Sequence, residues 1–338
     1  MGDSLYDLVR DYRSLSISGM CKNAGKTTAL NSLIRSVPDS ETLALTSIGW
    51  DGEREDIVTG TQKPGIYIRE GSLFATADGL LRHCDVTKEI LEATNISTPL
   101  GEVVLLRALS DGNVQLAGPS MVMQLVGLSR LFREHGAGRV IIDGAVGRKT
   151  LCSRILAEAT VLCTGASFSR NMDEVVAETA HVCNLLMTAE VPEPNTLIDP
   201  DSHTDKTRPS KYILLGQEKI LLPDGTDLAA VLKQTEEPRL LYVEGAVTDS
   251  MLDPVLRARL PEGLTIATRD ASRLLLSADT LRKLKTQKCN LGVLEGINLA
   301  AVTVNPFSAY GNHFDKSEFI NKMAAAVPVP VVDVECKM

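Results

Sequence analysis

Residues 14–37 read SLSISGMCKNAGKTTALNSLIRSV, and this stretch decides the fold. It opens on a short apolar strand pattern, and the residues from Lys26 to about Val37 show the apolar spacing of a helix. Gly19 and Gly25 bound the turn between the two patterns. A strand that leads through a glycine-containing turn directly into a helix is the first unit of an α/β fold.

The rest of the chain repeats this alternation. Short apolar runs rich in β-branched residues alternate with helical patterns, which is typical of an α/β protein with a mostly parallel sheet flanked by helices. We expect strands at Leu15–Ser18, Thr42–Ile48, Arg139–Ile142, Thr160–Cys163, Tyr212–Leu215, Leu240–Val243, Leu264–Ala267, Ala300–Val304 and Val327–Val332. We expect helices at Lys26–Val37, Gln124–His135 and Met172–Leu186.

The pattern also predicts how the chain is organised. Residues 1–50 and 121–191 form the expected core, and residues 51–120, with many Gly and Thr in short alternating runs, form a hairpin-rich insertion. Residues 192–210 read as a linker or exposed loop. Residues 211–338 form a C-terminal α/β part. It is either a separate domain or the completion of the first sheet, and one extended sheet with insertions is favoured.

Composition excludes several classes of protein. The net charge of the 338 residues is −8 and aromatic residues make up 4%. Such a chain repels nucleic acid and offers few rings on which bases could stack. No run of 18 apolar residues predicts a membrane span, and the N-terminal segment does not read as a secretory signal. The seven cysteines are spread apart without a C-x-x-C pair, so we expect neither disulfides nor zinc, and a cytoplasmic location.

The turn after the first strand carries the residue types of a phosphate-binding loop. Backbone N–H groups at such a turn, with a helix N-terminus behind them, surround phosphate oxygens. Lys26 would place its ammonium group between the β- and γ-phosphates, and the Thr27 hydroxyl would ligate Mg²⁺. The predicted nucleotide-binding residues of the turn are Gly19, Asn23, Ala24, Gly25, Lys26, Thr27 and Thr28.

The motif departs from the standard pattern at its first glycine. The standard pattern places that glycine at position 20, where this chain has Met20. Gly19 lies one residue further out, so the loop is one residue longer. The alternative interpretation is an ordinary strand-to-helix turn in which the glycine–lysine–threonine sequence has no phosphate to bind.

Two aspartates follow predicted strands at the expected ligand-binding edge of the sheet. Asp143 ends the strand at Arg139–Ile142 and is the expected Mg²⁺-site residue, with a turn aspartate as the alternative. Asp51 follows the strand at Thr42–Ile48, between Gly49 and Gly52. It would contact a metal-bound water or orient a nucleophile, with an Asp-Gly turn as the alternative. The predicted catalytic residues are therefore Lys26, Asp51 and Asp143, and the predicted metal ligands are Thr27 and Asp143.

Asn305 follows the predicted strand at Ala300–Val304 and precedes a proline. An asparagine amide at that position can read the edge of an adenine base, because it carries both a donor and an acceptor. An Asn-Pro turn accounts for the same residues equally well. Both interpretations stay open.

Five segments together resemble a known family. The long phosphate loop resembles that of the dethiobiotin-synthetase group, which belongs to the class that also holds the MinD-like ATPases. The lysine that marks MinD-like ATPases would fall at Cys21 here. The whole set of segments resembles the KamB-type subunit of the lysine 5,6-aminomutase reactivase. These segments are residues 19–28, 46–53, 98–112, 143–145 and 304–308.

The resemblance implies a P-loop NTPase that binds ATP and Mg²⁺ and hydrolyses the nucleotide, with GTP left open. It further implies two partners, a MutS-like ATPase subunit and the cobalamin-dependent lysine 5,6-aminomutase that the pair would restore, and a homodimer stays open. Two other functions compete with this one. The first is a P-loop kinase or dethiobiotin-synthetase-like ligase that acts on a small carboxylate or alcohol. The second is a nucleotide-binding scaffold without hydrolysis.

Overall fold

The computed structural model describes residues 4–50, 65–146, 152–191, 211–215, 218–223, 225–235, 238–259 and 261–333. The chain divides into two units. The first contains Met1–Cys183 together with Asn298–Met338, and the second contains Asn184–Ile297.

Helices and strands alternate along the chain. The helices are α1 Leu5–Val9, α2 Lys26–Ser36, α3 Val122–Glu134, α4 Met172–Leu186, α5 Leu228–Gln234, α6 Asp249–Arg257, α7 Ala278–Thr286 and α8 Lys316–Ala326. The strands up to the end of α4 are β1 Ser14–Gly19, β2 Leu43–Ser47, β3 Ile66–Ile68, β4 Leu73–Ala77, β5 Lys88–Thr98, β6 Gly101–Ala108, β7 Gly112–Val114, β8 Arg139–Val146 and β9 Ala159–Gly165. The later strands are β10 Lys211–Leu215, β11 Glu218–Leu222, β12 Leu240–Val243, β13 Val247–Thr248, β14 Thr265–Asp270, β15 Leu274–Leu275, β16 Asn290–Glu295, β17 Leu299–Asn305 and β18 Val331–Asp333.

The first unit is built on a nine-stranded sheet in the order β18-β17-β9-β1-β8-β2-β4-β6-β5. All pairings from β18 to β4 are parallel, and β6 and β5 are added antiparallel. The expected α/β class with a large, mostly parallel sheet flanked by helices is thus confirmed. Because the carboxyl ends of parallel strands share one edge, β1, β8, β2 and β17 all deliver their last residues there.

Each face of this sheet carries its own helices. On β8, Ile141 belongs to the apolar core that contains Leu33 of α2. Its neighbours Val140 and Ile142 belong to the opposite core, which contains Phe132 of α3. This alternation follows from the period of two along a strand, and burial on both faces explains why every residue of β1 is buried.

The region expected as an insertion, residues 51–120, does not lie beside the sheet in its described part. Strands β4, β6 and β5 extend the main sheet instead, and β3 pairs with β7 in a separate two-stranded ribbon. The short alternating runs of this region indicated strands correctly, but strand partners depend on tertiary packing, which a strand's own pattern does not encode.

The C-terminal part, residues 211–338, is divided between the two units. Only β17 and β18 return to the first sheet, where β17 pairs with β9. Strands β10, β11, β12, β14 and β16 form a second, five-stranded sheet in the order β11-β10-β12-β14-β16. One extended sheet, the favoured expectation, is therefore not what the described residues form. The predicted linker at 192–210 lies outside them.

The last predicted strand, Val327–Val332, is shorter than expected. Val327 ends α8 by donating its backbone N–H to the carbonyl of Met323 at 3.0 Å, and β18 covers only Val331–Asp333. Pro328 and Pro330 explain the difference, because proline lacks the N–H that a strand ladder needs. Within the described ranges, no helix is both long and apolar enough to cross a lipid bilayer.

Candidate functional site

The loop at residues 20–25 joins β1 to α2. Its first residue, Met20, donates its backbone N–H to the carbonyl of Cys163 on β9 at 2.9 Å. Asn23 and Gly25 have φ values of 61° and 92°, a left-handed conformation that glycine adopts freely and asparagine tolerates. Loops that contain left-handed residues can aim successive backbone N–H groups into one concavity, which is an anion-binding arrangement.

A side chain at position 25 would be crowded. A β-carbon built on Gly25 would lie 3.1 Å from the β-carbon of Asn305, the last residue of β17. The backbone conformation and the close approach both favour glycine here. The loop before α2 therefore touches the end of a strand that lies far away in sequence.

The N-terminus of α2 differs from most helix starts in the described chain. Gly25 provides no capping side chain, and the first turn holds no acidic residue but a lysine, Lys26. Side chains that accept a backbone N–H cap five of the other helices, α1, α5, α6, α7 and α8, and these are Ser4, Asp227, Thr248, Ser277 and Asp315. Helix α3 begins after Met121 without such a cap. A cation at the positive end of a helix dipole costs about 0.3–1 kcal/mol. A bound anion would offset that cost and accept the uncapped N–H groups.

The side chain of Lys26 folds back over Gly19. A β-carbon built on Gly19 would lie 3.0 Å from both Cγ and Cδ of Lys26 and 3.3 Å from its Nζ. The ammonium group is therefore held above the first glycine of the loop. Burial raises the pKa of the neighbouring Cys21 thiol to about 11, although Lys26 acts to lower it. Cys21 is thus a neutral thiol at physiological pH and not a nucleophile.

Asp143 lies on β8, and β8 lies between β1 and β2 in the sheet. It pairs with Ile17 of β1 on one side and with Ser47 of β2 on the other. Its Oδ1 atom is shielded from solvent. Asp143 has the same parity along β8 as Ile141, so it projects from the face of the sheet that α2 covers.

A buried thiol links Lys26 and Asp143 electrostatically. Burial raises the pKa of Cys163 on β9 to about 11, the side chain of Thr303 and the charge of Lys26 act to lower it, and the charge of Asp143 acts to raise it. Both charged groups thus lie close enough to one sulfur atom to affect its pKa. Lys26 folds over Gly19 at the end of β1, and Asp143 on the adjacent strand β8 pairs with Ile17, so the cation and the carboxylate predicted for one site lie at the same edge of the sheet.

The residues that follow β2 lie at the same edge of the sheet and hold a second segment there. Ile48 donates its backbone N–H to the carbonyl of Asp143 at 3.1 Å, and Gly49 donates to the carbonyl of Pro119 at 2.9 Å. A β-carbon on Gly118 would lie only 1.9 Å from the carbonyl oxygen of Ser47. Sequence reasoning missed this docked segment. Its only signal is the Gly118–Pro119 pair, which marks a turn but not the strand end on which the turn rests.

Asn305 adopts the turn that the sequence left as one of two interpretations. Its Oδ1 accepts the backbone N–H of Phe307 at 3.0 Å. Its Nδ2 lies 3.5 Å from the position that a β-carbon of Gly25 would take. The amide is therefore held against the loop before α2, and one of its two recognition groups is already engaged.

The structure places the other predicted residues as follows. Ala24 is buried, with 1% of its surface exposed, and Thr27 and Thr28 lie in the first turn of α2, partly exposed. Asp51 lies outside the described residues, so its role stays a prediction.

Mg²⁺ suits the oxygen groups at this edge. Described residues hold no group of three or more His, Cys, Asp or Glu side chains that could bind a metal ion. A Mg²⁺ ion bound with a nucleotide needs no such group, because phosphate oxygens and waters supply most of its ligands. One hydroxyl from Thr27 and one carboxylate from Asp143 are hard oxygen donors of the kind it prefers.

Replacement of Gly25 by alanine tests the contact with Asn305. We expect Gly25→Ala to lower the free energy of unfolding by more than the roughly 1–2 kcal/mol that left-handed backbone alone costs. Gly71→Ala is the matched control, since Gly71 has φ 83° and no atom within 4 Å of its would-be β-carbon. In an Asn305→Gly background the excess should disappear in denaturant titrations. Equal losses for both alanine variants in the native background would contradict the contact.

The raised pKa of Cys163 predicts a loss of stability in alkali. The thiol ionises near pH 9 when unfolded and near pH 11 when folded. Its contribution to stability is therefore complete below pH 9 and is lost as the pH rises through 11. We expect the stability difference between wild type and Cys163→Ala to shrink by up to about 1.4 kcal/mol per pH unit across that window. Parallel pH profiles of the two proteins in chemical unfolding would contradict this.

Comparison with protein-family models, with curated proteins and with solved structures gives no match to this chain. The resemblance to the reactivase family therefore rests on the sequence segments quoted above. The chemistry of the candidate site rests on its own geometry.

Proposed function

We propose that the chain binds a nucleoside triphosphate together with Mg²⁺ at residues 19–28 and hydrolyses it. The observation that supports this most is the position of Lys26, which folds over Gly19 at an uncapped helix N-terminus. Cation, N–H groups and helix dipole all favour an anion at that point. A strand-to-helix turn without a phosphate to bind would gain nothing from this combination.

Each described residue has a distinct task in the proposed site. The backbone N–H groups of the loop and of the first turn of α2 hold phosphate oxygens, and Lys26 neutralises charge on the terminal phosphates. Thr27 and Asp143 hold the Mg²⁺ shell. The metal ion, when bound, stabilises charge that develops on the phosphates. Asp51 is the predicted residue for orienting the attacking water.

We further propose that hydrolysis serves a reactivase of a cobalamin-dependent lysine 5,6-aminomutase. The resemblance of the five sequence segments supports this client and the MutS-like partner subunit. The physical requirement is a large shift in cofactor affinity. Moving a bound cofactor from 99% held to 99% released takes about 5.5 kcal/mol of differential affinity. Loops that respond to the γ-phosphate can couple nucleotide hydrolysis to such a shift.

Removal of the lysine ammonium group tests nucleotide binding. We expect wild type to bind ATP or GTP with Mg²⁺ in titration calorimetry, and Lys26→Ala to weaken binding at least tenfold because a charge partner of the phosphates is lost. Lys285→Ala is the control, since Lys285 is exposed on α7 in the second unit. Equal affinity of Lys26→Ala and wild type would overturn the site.

Phosphate release then separates the competing functions. Tight binding without release, in the presence of the partner subunit, would favour a scaffold. Faster turnover on addition of a small carboxylate or alcohol would favour a kinase or ligase.

Restoration of an inactivated enzyme tests the client. Purified lysine 5,6-aminomutase that has lost its adenosyl group should regain activity with this chain, the partner subunit, ATP and fresh adenosylcobalamin. Lys26→Ala should abolish the recovery and Lys285→Ala should preserve it. Recovery that is the same without this chain would exclude the client while leaving nucleotide binding intact.

A further inference from the structure

The loop at residues 306–314, which we name the aromatic loop, exposes two rings to solvent. Phe307 is 48% exposed and Tyr310 is 43% exposed. Aromatic residues make up only 4% of this chain. A large apolar ring at a surface can mark a binding site when polar groups lie beside it.

The aromatic loop begins at the candidate phosphate site. Asn305, whose β-carbon approaches Gly25, holds the backbone N–H of Phe307 with its Oδ1. Two residues separate their α-carbons by at most about 7.6 Å. Phe307 therefore stands within the length of a nucleoside whose phosphates occupy residues 19–28.

Hydrogen bonds hold the aromatic loop in one conformation. Ser308 donates its backbone N–H to the carbonyl of Asn312 at 2.9 Å, and Phe314 donates to that of Pro306 at 3.0 Å. The side chain of Asn312 donates to the carbonyl of Ala166 at 2.9 Å, which ties the loop to the end of β9. A ring on such a loop is positioned before a ligand arrives, so that little conformational entropy is lost on binding.

The ring of Phe307 is supported from one side. It meets the ring of His313 edge-to-face, with centroids 5.5 Å apart and an interplanar angle of 64°. Such an arrangement orients the phenyl group and leaves about half of it in water. A planar π-system is the ligand that this surface fits, because stacking on an aromatic side chain is favourable for any nucleobase.

We propose that Phe307, oriented by His313, is the stacking platform for the nucleobase, an inference that rests on the proposed nucleotide-binding function. The protein then contacts the flat face of the base and not its hydrogen-bonding edge. Stacking does not distinguish adenine from guanine by hydrogen bonds, and Asn305 has already committed its Oδ1. ATP and GTP should therefore bind with affinities within about threefold of each other, and UTP should bind more weakly because its single ring stacks over less area.

Calorimetry with tripolyphosphate and with ATP separates the platform from the phosphate site. Phe307→Leu keeps an apolar side chain but removes the ring. We expect it to weaken ATP roughly 5- to 100-fold, the range of aromatic-to-base stacking, and to leave tripolyphosphate affinity unchanged. Tyr310→Leu is the matched control on the same loop and should leave both affinities unchanged. Unchanged tripolyphosphate binding also shows that the variant is folded.

Three results would overturn the platform. These are ATP affinity of Phe307→Leu equal to wild type, loss of ATP affinity in Tyr310→Leu instead, and wild-type discrimination of tenfold or more between ATP and GTP. In each case Lys26→Ala would still lose both ligands, so the proposed function would stand. Wild-type protein that binds neither tripolyphosphate nor a nucleotide would overturn both proposals together.

Discussion

The left-handed backbone of Gly25 is the constraint on which the candidate site depends. At φ 92° the chain turns out of the loop and into α2 with its first N–H groups uncapped. A side chain here would strain the backbone and crowd Asn305. The same glycine thus sets the direction of the helix dipole and the distance from α2 to the end of β17. Lys26 follows directly, which is why its side chain reaches back over Gly19.

Strand register places the carboxylate opposite that lysine. Val140 and Ile142 of β8 are buried against α3, and Ile141 is buried against α2. A shift of one residue would move every side chain of β8 to the other face, together with Asp143. Apolar burial on both faces therefore fixes a polar group at the edge. Because β8 lies beside β1, this carboxylate lies at the edge of the sheet where Lys26 folds over Gly19.

Several elements of the first unit were predicted well from the sequence, because the apolar patterns of a strand and of a helix are local signals. The strand–turn–helix at residues 14–37 is found within a few residues of its expected bounds, whereas the strand expected at Arg139–Ile142 runs on to Val146, so that Asp143 lies within it. The pairing of strands could not be predicted, since the sequences of β4, β5 and β6 do not indicate which strand lies beside each of them. Helices α1, α5, α6, α7 and α8 were also missed, although ordinary N-cap signals precede them, namely Ser4, Asp227, Thr248, Ser277 and Asp315. The contact of Asn305 with Gly25 has no sequence signal, because it arises from the return of the chain to the first sheet.

The late entry of β17 into the first sheet affects how the protein folds during its synthesis. Strand β17 enters the first sheet only after the chain has passed through the whole of the second unit. At about 5–20 residues per second, a ribosome needs tens of seconds to go from Gly19 to Asn305. Until β17 is made, the loop at residues 20–25 lacks its contact with Asn305, and β9, once synthesised, has an unpaired edge. The candidate site is thus completed near the end of synthesis. Chaperones that shield unpaired strands would act before then.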